Sequence, residues 1–224
     1  MTDTVFLKNY TEPEFDRGEI LRYMGCKEPS DEILSLVENC IKEVRPKLTY
    51  RVCYRQFTIH EKSDHIDLAF TLTESQGLRR NLKGCHSVIL FAATVGLELD
   101  RLIAKYGRIS PAKALCFQAI GAERIESLCQ SFNNDMKLSL ADQGFKTRPR
   151  FSPGYGDFPL DAQKDIFRVL NPAKNIGLSL NDSLLMSPSK SVTALIGVTK
   201  DAESCIADER CDKCDKQDCS FRRL

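Results

Sequence analysis

The sequence predicts an α+β fold, a mainly antiparallel sheet with helices packed on it. Three observations point there. Two neighbouring stretches, 48–59 and 64–73, alternate or are rich in β-branched and aromatic residues and are joined by a polar Glu-Lys-Ser link. The stretch 110–140 has apolar residues at helical spacing. Helices and strands are mixed along the chain without the regular strand–helix–strand alternation of a parallel sheet.

The elements follow in order. A helix is expected over 30–44: Ser30 can cap it, Asp31 and Glu32 suit its first turn, Ile33, Leu34, Val37, Ile41 and Val44 share one face, and Pro46 ends it. The stretches 48–59 and 64–73 read as a hairpin or two neighbouring strands. The continuous apolar run 87–96 is of strand length or the start of a buried helix, and is read as a strand. Over 110–140, Ser110 can cap, Pro111 takes the first helical position, and Leu115, Ala122, Ile125, Cys129, Phe132, Met136 and Leu140 recur at spacings of three, four or seven. Gly144 is the expected stop. A short helix over 160–170 ends at Asn171-Pro172, and Ile-Gly-Leu-Ser-Leu and Ser-Val-Thr-Ala-Leu-Ile-Gly-Val then read as strands. The chain divides into one α+β domain over 1–200 and a cysteine-rich tail over 201–224.

With 224 residues, 42% of them hydrophobic and 28% charged, and a formal net charge of +1, the chain is expected to be globular and no nucleic-acid binder. It has no apolar run long enough to span a membrane, and its acidic N-terminus lacks a secretory leader pattern, so a cytoplasmic location is expected. The cysteines agree: Cys26, Cys40, Cys53, Cys85, Cys116 and Cys129 are scattered singly among apolar neighbours, as small hydrophobes of a reduced compartment.

Several motifs fall away on inspection. His60 and His65 are five apart, too far to share a helix face as zinc-protease histidines do, and sit in a strand region. Cys85 and His86 are neighbours that point to opposite faces of a strand, and Cys85 is read as core. Glu123 and Glu126, three apart on the long helix, flank one face, either solvated or meeting a ligand's ammonium or hydroxyl groups.

The stretch Arg-Pro-Arg-Phe-Ser-Pro-Gly-Tyr-Gly-Asp-Phe-Pro, 148–159, carries more. Pro149 and Pro153 stiffen it, and Gly154 and Gly156 bracket Tyr155 with residues that tolerate positive φ. It reads equally as a rigid surface turn or as a cradle. In a cradle, backbone at glycine approaches a ligand, arginine forks onto a carboxylate and tyrosine offers an aromatic face.

From Arg150 the pattern R-x-x-P-G-Y, then F-P-L-D-A-Q-K ending at Lys164, then L-N-D-S-L-L-M-S-P-S-K-S-V with Ser183, Met186, Pro188 and Ser191, resembles the S-adenosylmethionine-binding activation module of cobalamin-dependent methionine synthase. Upstream, G-A-E-R-I-E-S-L resembles a helix of the same module. The resemblance implies that module's fold, as a stand-alone activation subunit. It also implies that S-adenosylmethionine, with an electron from a flavodoxin-type donor, regenerates methylcobalamin from cob(II)alamin on a methionine synthase or other corrinoid protein, in methionine biosynthesis. The cobalamin is held by the partner. Carried over by position, Arg150 meets the ligand's carboxylate, Pro153, Gly154 and Tyr155 form the turn against its adenosine or backbone-proximal parts, and Glu123 meets its ammonium or sulfonium side. Arg148 is then a solvated neighbour, and Asp16 is the candidate for the family's early ligand-contacting aspartate. The alternatives are a docking module without turnover and a reductive activator working through the tail.

That tail carries Cys205, Cys211, Cys214 and Cys219, whose central C-x-x-C can chelate a metal. Four soft ligands suit Zn²⁺ or an iron–sulfur cluster, with Lys213, Lys216, Arg222 and Arg223 offsetting thiolate charge; a redox-active dithiol, an artefactual disulfide and a disordered tail are the alternative readings.

Overall fold

The structure, a computed structural model, describes residues 4–200. Strand β1 (Phe6–Asn9) leads through helices α1 (Arg17–Tyr23) and α2 (Asp31–Val44), and a single 3-10 turn over Arg45–Lys47, into β2 (Arg51–Thr58). Three short strands follow, β3 (His60–Glu61), β4 (Ile66–Asp67) and β5 (Leu72–Thr73), then α3 (Gln76–Asn81), β6 (Ser87–Thr94), α4 (Glu98–Ile109) and the long α5 (Pro111–Ala141). The chain finishes with β7 (Lys146–Thr147), α6 (Ala162–Leu170), α7 (Pro172–Ile176), the hairpin strands β8 (Ser179–Leu180) and β9 (Met186–Ser187), and β10 (Ser191–Thr199).

The main sheet has the order β1-β2-β6-β10-β7 and every pair in it is antiparallel, as the α+β expectation requires. Its centre explains the continuous apolar run: all eight residues of β6 are buried. Ile89, Phe91 and Ala93 join a core with α2 and α5, while Val88, Leu90 and Ala92 join a second core with α6 and α7 on the opposite face. A strand covered on both faces has no polar side to alternate with. Among the described residues no helix is long and apolar enough to cross a membrane.

Three expectations are corrected. The stretches 48–59 and 64–73 are not paired with each other: β2 lies between β1 and β6, and 60–73 turns aside into the separate small sheet β3-β4-β5. The apolar run of β6 needs a long neighbour buried on both faces, which β2 supplies with Val52, Cys53 and Phe57. Leu34 and Leu115 lie outside the helix faces expected of them, at 41% and 49% exposed; Cys40, Cys116 and Phe117 are buried instead. Cys85 is half-buried at the edge of the second core rather than within it.

Candidate functional site at the 148–158 turn

Strand β7 pairs with the end of β10, and the chain continues along that edge: the Arg148 N–H donates to Gly197 O at 2.8 Å. Pro149, without an N–H, interrupts the pairing, and Phe151 resumes it with Leu195 through two bonds of 2.9 Å. Then the chain folds on itself. Tyr155 N–H donates to Ser152 O (3.1 Å), Phe158 N–H to Tyr155 O (3.1 Å) and Gly154 N–H to Phe158 O (2.8 Å). Gly154 and Gly156 hold φ of +83° and +57°, conformations in which a side chain would be strained. Pro153 and Phe158 are buried and anchor the turn, leaving Tyr155 67% exposed with its ring edge-on to Phe151, centroids 5.5 Å apart.

A residue that sequence reasoning assigned no role clamps this turn. The Asp157 carboxylate accepts from Ser75 Oγ at 2.5 Å and from the backbone N–H groups of Gln76 (2.6 Å) and Gly77 (3.0 Å) at the start of α3. The Ser75 hydroxyl, with those N–H donors, holds the Asp157 carboxyl below the ordinary range.

The two arginines part. Arg148, expected to be solvated, is only 4% exposed, with Nη2 donating to Lys83 O at 2.5 Å. Its backbone is locked to β10, and its stem crosses Gly197, where a Cβ would come within 3.1 Å of Arg148 Cγ. Arg150 goes to α5 instead, where Nη2 forms an ion pair with Glu126 Oε2; the two side chains remain 26% and 36% exposed. Next to this pair on α5 lies Cys129, whose thiol burial pushes up to about 12, so that it stays neutral.

The acid that stands beside Arg150 is thus Glu126. Glu123 is 2% exposed and ion-paired with the fully buried Arg124; it also accepts from Ser127 Oγ (2.7 Å) and from the Asp16 N–H (3.3 Å). Arg124 donates to Pro13 O (2.5 Å) and Glu14 O (2.6 Å) and lies 3.9 Å from the Phe15 ring centre, so the two residues latch the N-terminal segment onto α5. Asp16 caps α1 by accepting from Glu19 N–H at 3.0 Å. The downstream part of the motif is scaffolding: Ser191 Oγ donates to Pro188 O (2.8 Å) and is hydrogen-bonded to Thr94 Oγ1, while Ser189 donates twice to Asp100 of α4. Ser183 N–H donates to Asn181 Oδ1, and Lys164 pairs with Asp161 on the exposed side of α6.

Cys205, Cys211, Cys214 and Cys219 lie outside the described residues, as does the whole 201–224 segment. Among the described residues no group of three or more His, Cys, Asp or Glu could hold a metal ion; His65 Nδ1 lies 2.8 Å from Asp64 Oδ1.

Residues 80–218, more than half of the chain, match the family described as vitamin B12 dependent methionine synthase, activation domain. The chain belongs to this family. The crystal structure of the MetH reactivation domain bound to AdoHcy shares the fold of this activation-domain chain at a TM-score of 0.64 and 17% sequence identity, covering 87% of this chain and 78% of that one. No curated protein matches it. Membership and fold support a role in the reactivation of methionine synthase.

Proposed function

We propose that this chain binds S-adenosylmethionine at the Arg150–Glu126 pair and supports reductive methylation of cob(II)alamin held by a cobalamin-dependent methionine synthase or other corrinoid protein. The observation that carries this is the pair itself, two opposite charges side by side and partly exposed at the arginine of the family pattern, next to a clamped turn with an exposed tyrosine. A zwitterionic amino-acid end fits by exchange: its carboxylate takes the place of Glu126 on the Arg150 fork, and its ammonium goes to Glu126. Tyr155 supplies an aromatic face, and Gly154 lets backbone approach the ligand. Glu123 serves this site from behind, holding the Asp16 backbone and the N-terminal segment against α5. The AdoHcy carried by the structural relative supports a ligand of this class.

In this proposal the bound S-adenosylmethionine supplies the methyl group, and a flavodoxin-type donor supplies the electron. The protein's contribution is position: a preformed turn reduces the entropy lost when ligand and corrin are brought together. We assign the tail cysteines to a Zn²⁺ or iron–sulfur centre on their spacing alone. Mixing the chain with a cob(II)alamin-loaded partner, reductant and S-adenosylmethionine tests the proposal by visible spectroscopy. Methylcobalamin is expected with the intact chain and not with Arg150→Ala. A methylation unaffected by Arg150→Ala sinks the assignment, and a cobalamin spectral change without S-adenosylmethionine replaces it with electron transfer through the tail.

A further inference from the structure

Helix α3 contributes no residue to the proposed ligand pair, yet it grips the 148–158 segment at two points. At the start of α3, Ser75 Oγ and the N–H groups of Gln76 and Gly77 hold the Asp157 carboxylate. At its end, Asn81 Nδ2 donates to Pro149 O at 3.1 Å. Pro149 and Asp157 bracket the whole turn, Phe151, Gly154 and Tyr155 included. The helix is itself a fixed support. Leu78 is fully buried in the second core, and Arg79 reaches the β3–β4 hairpin, with Nε 2.8 Å from Glu61 Oε1 and Nη1 donating to Ser63 O at 3.1 Å.

The grip passes to the exposed tyrosine through one ring. A Cβ built on Gly77 would lie 2.8 Å from Asp157 Oδ1 and 3.4 Å from Phe151 Cζ, so the carboxylate and that ring both pack closely on this glycine. Phe151 in turn meets Tyr155 edge-on and lies 6.3 Å from Phe158, centroid to centroid. Asp157 is at the surface, where a single bond to it is weak, but three donors converging on one carboxylate fix its direction. An asparagine there cannot reproduce this. Oδ1 accepts from Ser75 and Gly77 and Oδ2 from Gln76, so an amide nitrogen in either place faces an N–H.

We propose that Asp157 is a positioning residue of the ligand site: anchored on α3, it fixes the turn so that the Tyr155 ring stands where the ligand of the Arg150–Glu126 pair meets it. The inference rests on the reading of that pair as the S-adenosylmethionine site. Asp157 touches no ligand atom and acts through Phe151 and Tyr155. Without it the turn is ordered only when the ligand arrives, and the cost of that ordering comes out of the affinity.

A double-mutant cycle, read by isothermal titration of the full-length chain with S-adenosylmethionine below the melting temperature of every variant, tests this. Asp157→Asn is expected to weaken binding about fivefold, the equivalent of one net hydrogen bond. Tyr155→Ala should weaken it at least as much, and the double variant no more than Tyr155→Ala alone, because Asp157 has nothing left to position. A general loss of structure would instead give two effects that multiply; that result overturns the proposal, as does an unchanged affinity in either single variant. Gly77→Ala reaches the same contact from the helix side without removing any hydrogen-bonding group. Its methyl displaces Asp157 and Phe151, so it should also weaken binding, and unchanged binding there counts against the route through Phe151. Arg150→Ala separates the two levels of failure. Binding unaffected by Arg150→Ala sinks the site reading and this inference with it; binding lost in Arg150→Ala but kept in Asp157→Asn leaves the site and removes Asp157 alone.

Discussion

At the scale of single residues, the proposed site rests on Arg150 and on the small residues and carboxylates that let the turn close. Arg150→Ala is expected to weaken S-adenosylmethionine binding by about 1.5–3 kcal/mol, the worth of a hydrogen bond to a charged group, as read by isothermal titration. Arg150→Lys should recover little, because an ammonium cannot fork onto a carboxylate. Gly121, on α5, sits against the side chain of Leu99 and 2.8 Å, from a Cβ position, from Lys190 Cγ, so there is no room for a methyl group. Gly121→Ala should therefore destabilise the fold by about 1–3 kcal/mol in urea denaturation, through overpacking. Asp157 makes a pH prediction. Its folded carboxyl is more acidic than in the unfolded chain, so its contribution is present above the ordinary carboxyl range and is lost as pH falls through the folded value. The melting temperature should drop on acidification below about pH 4, and Asp157→Asn should flatten that part of the profile.

At the scale of elements, α5 is the organising piece. One side latches the N-terminal segment through Glu123 and Arg124, another holds Arg150 through Glu126, and Gly121 receives the turn before β10. Breaking the latch on one side only should be severe: Arg124→Met leaves the Glu123 carboxylate buried without its counter-ion, at a cost of about 3–5 kcal/mol. The pair Arg124→Met with Glu123→Leu should recover part of that loss in chemical denaturation. Hydrogen exchange of 12–16 should speed up in both variants, since both lose the donors to Pro13 O and Glu14 O. The helix was legible in the sequence because its apolar spacing persists over its whole length. Its buried face was only partly so, as Leu115 points outward while Cys116 and Phe117 are buried. The strand 87–96 was legible for the opposite reason, an apolar run too uniform to be half-exposed. The short α1, α3 and α7 were not, because a helix of a few residues lacks a repeat long enough to count.

At the scale of the whole molecule, the 148–158 turn stands at one edge of the main sheet with Tyr155 and Leu160 exposed, 67% and 42%. An open site of this kind should bind S-adenosylmethionine weakly in the isolated chain and more tightly once a corrin-bearing partner covers it, because burial strengthens its charge contacts. Titration with and without the partner measures the difference; equal, tight binding in both would count against partner-dependent affinity. For the tail, an ultraviolet–visible spectrum of anaerobically purified protein separates its assignments, since an iron–sulfur cluster absorbs in the visible and zinc does not.

What the sequence determined by itself was local or periodic: the mixed fold class, the long helix and central strand, the stiffness of the 148–159 stretch, and the register from Arg150 to Ser191 that pointed to a family. Tertiary structure alone decided the partners. Nothing in the local sequence of Arg148 or Arg150 says that the first turns inward over Gly197 and the second reaches Glu126, because both depend on which elements flank the edge of β10. The choice between Glu123 and Glu126 is likewise a matter of direction around a helix, set by where Arg124 and the N-terminal segment lie. Asp157 reaches Ser75 across 82 positions of chain. Charge pairs are made at a few ångströms in space, a distance that sequence spacing does not record.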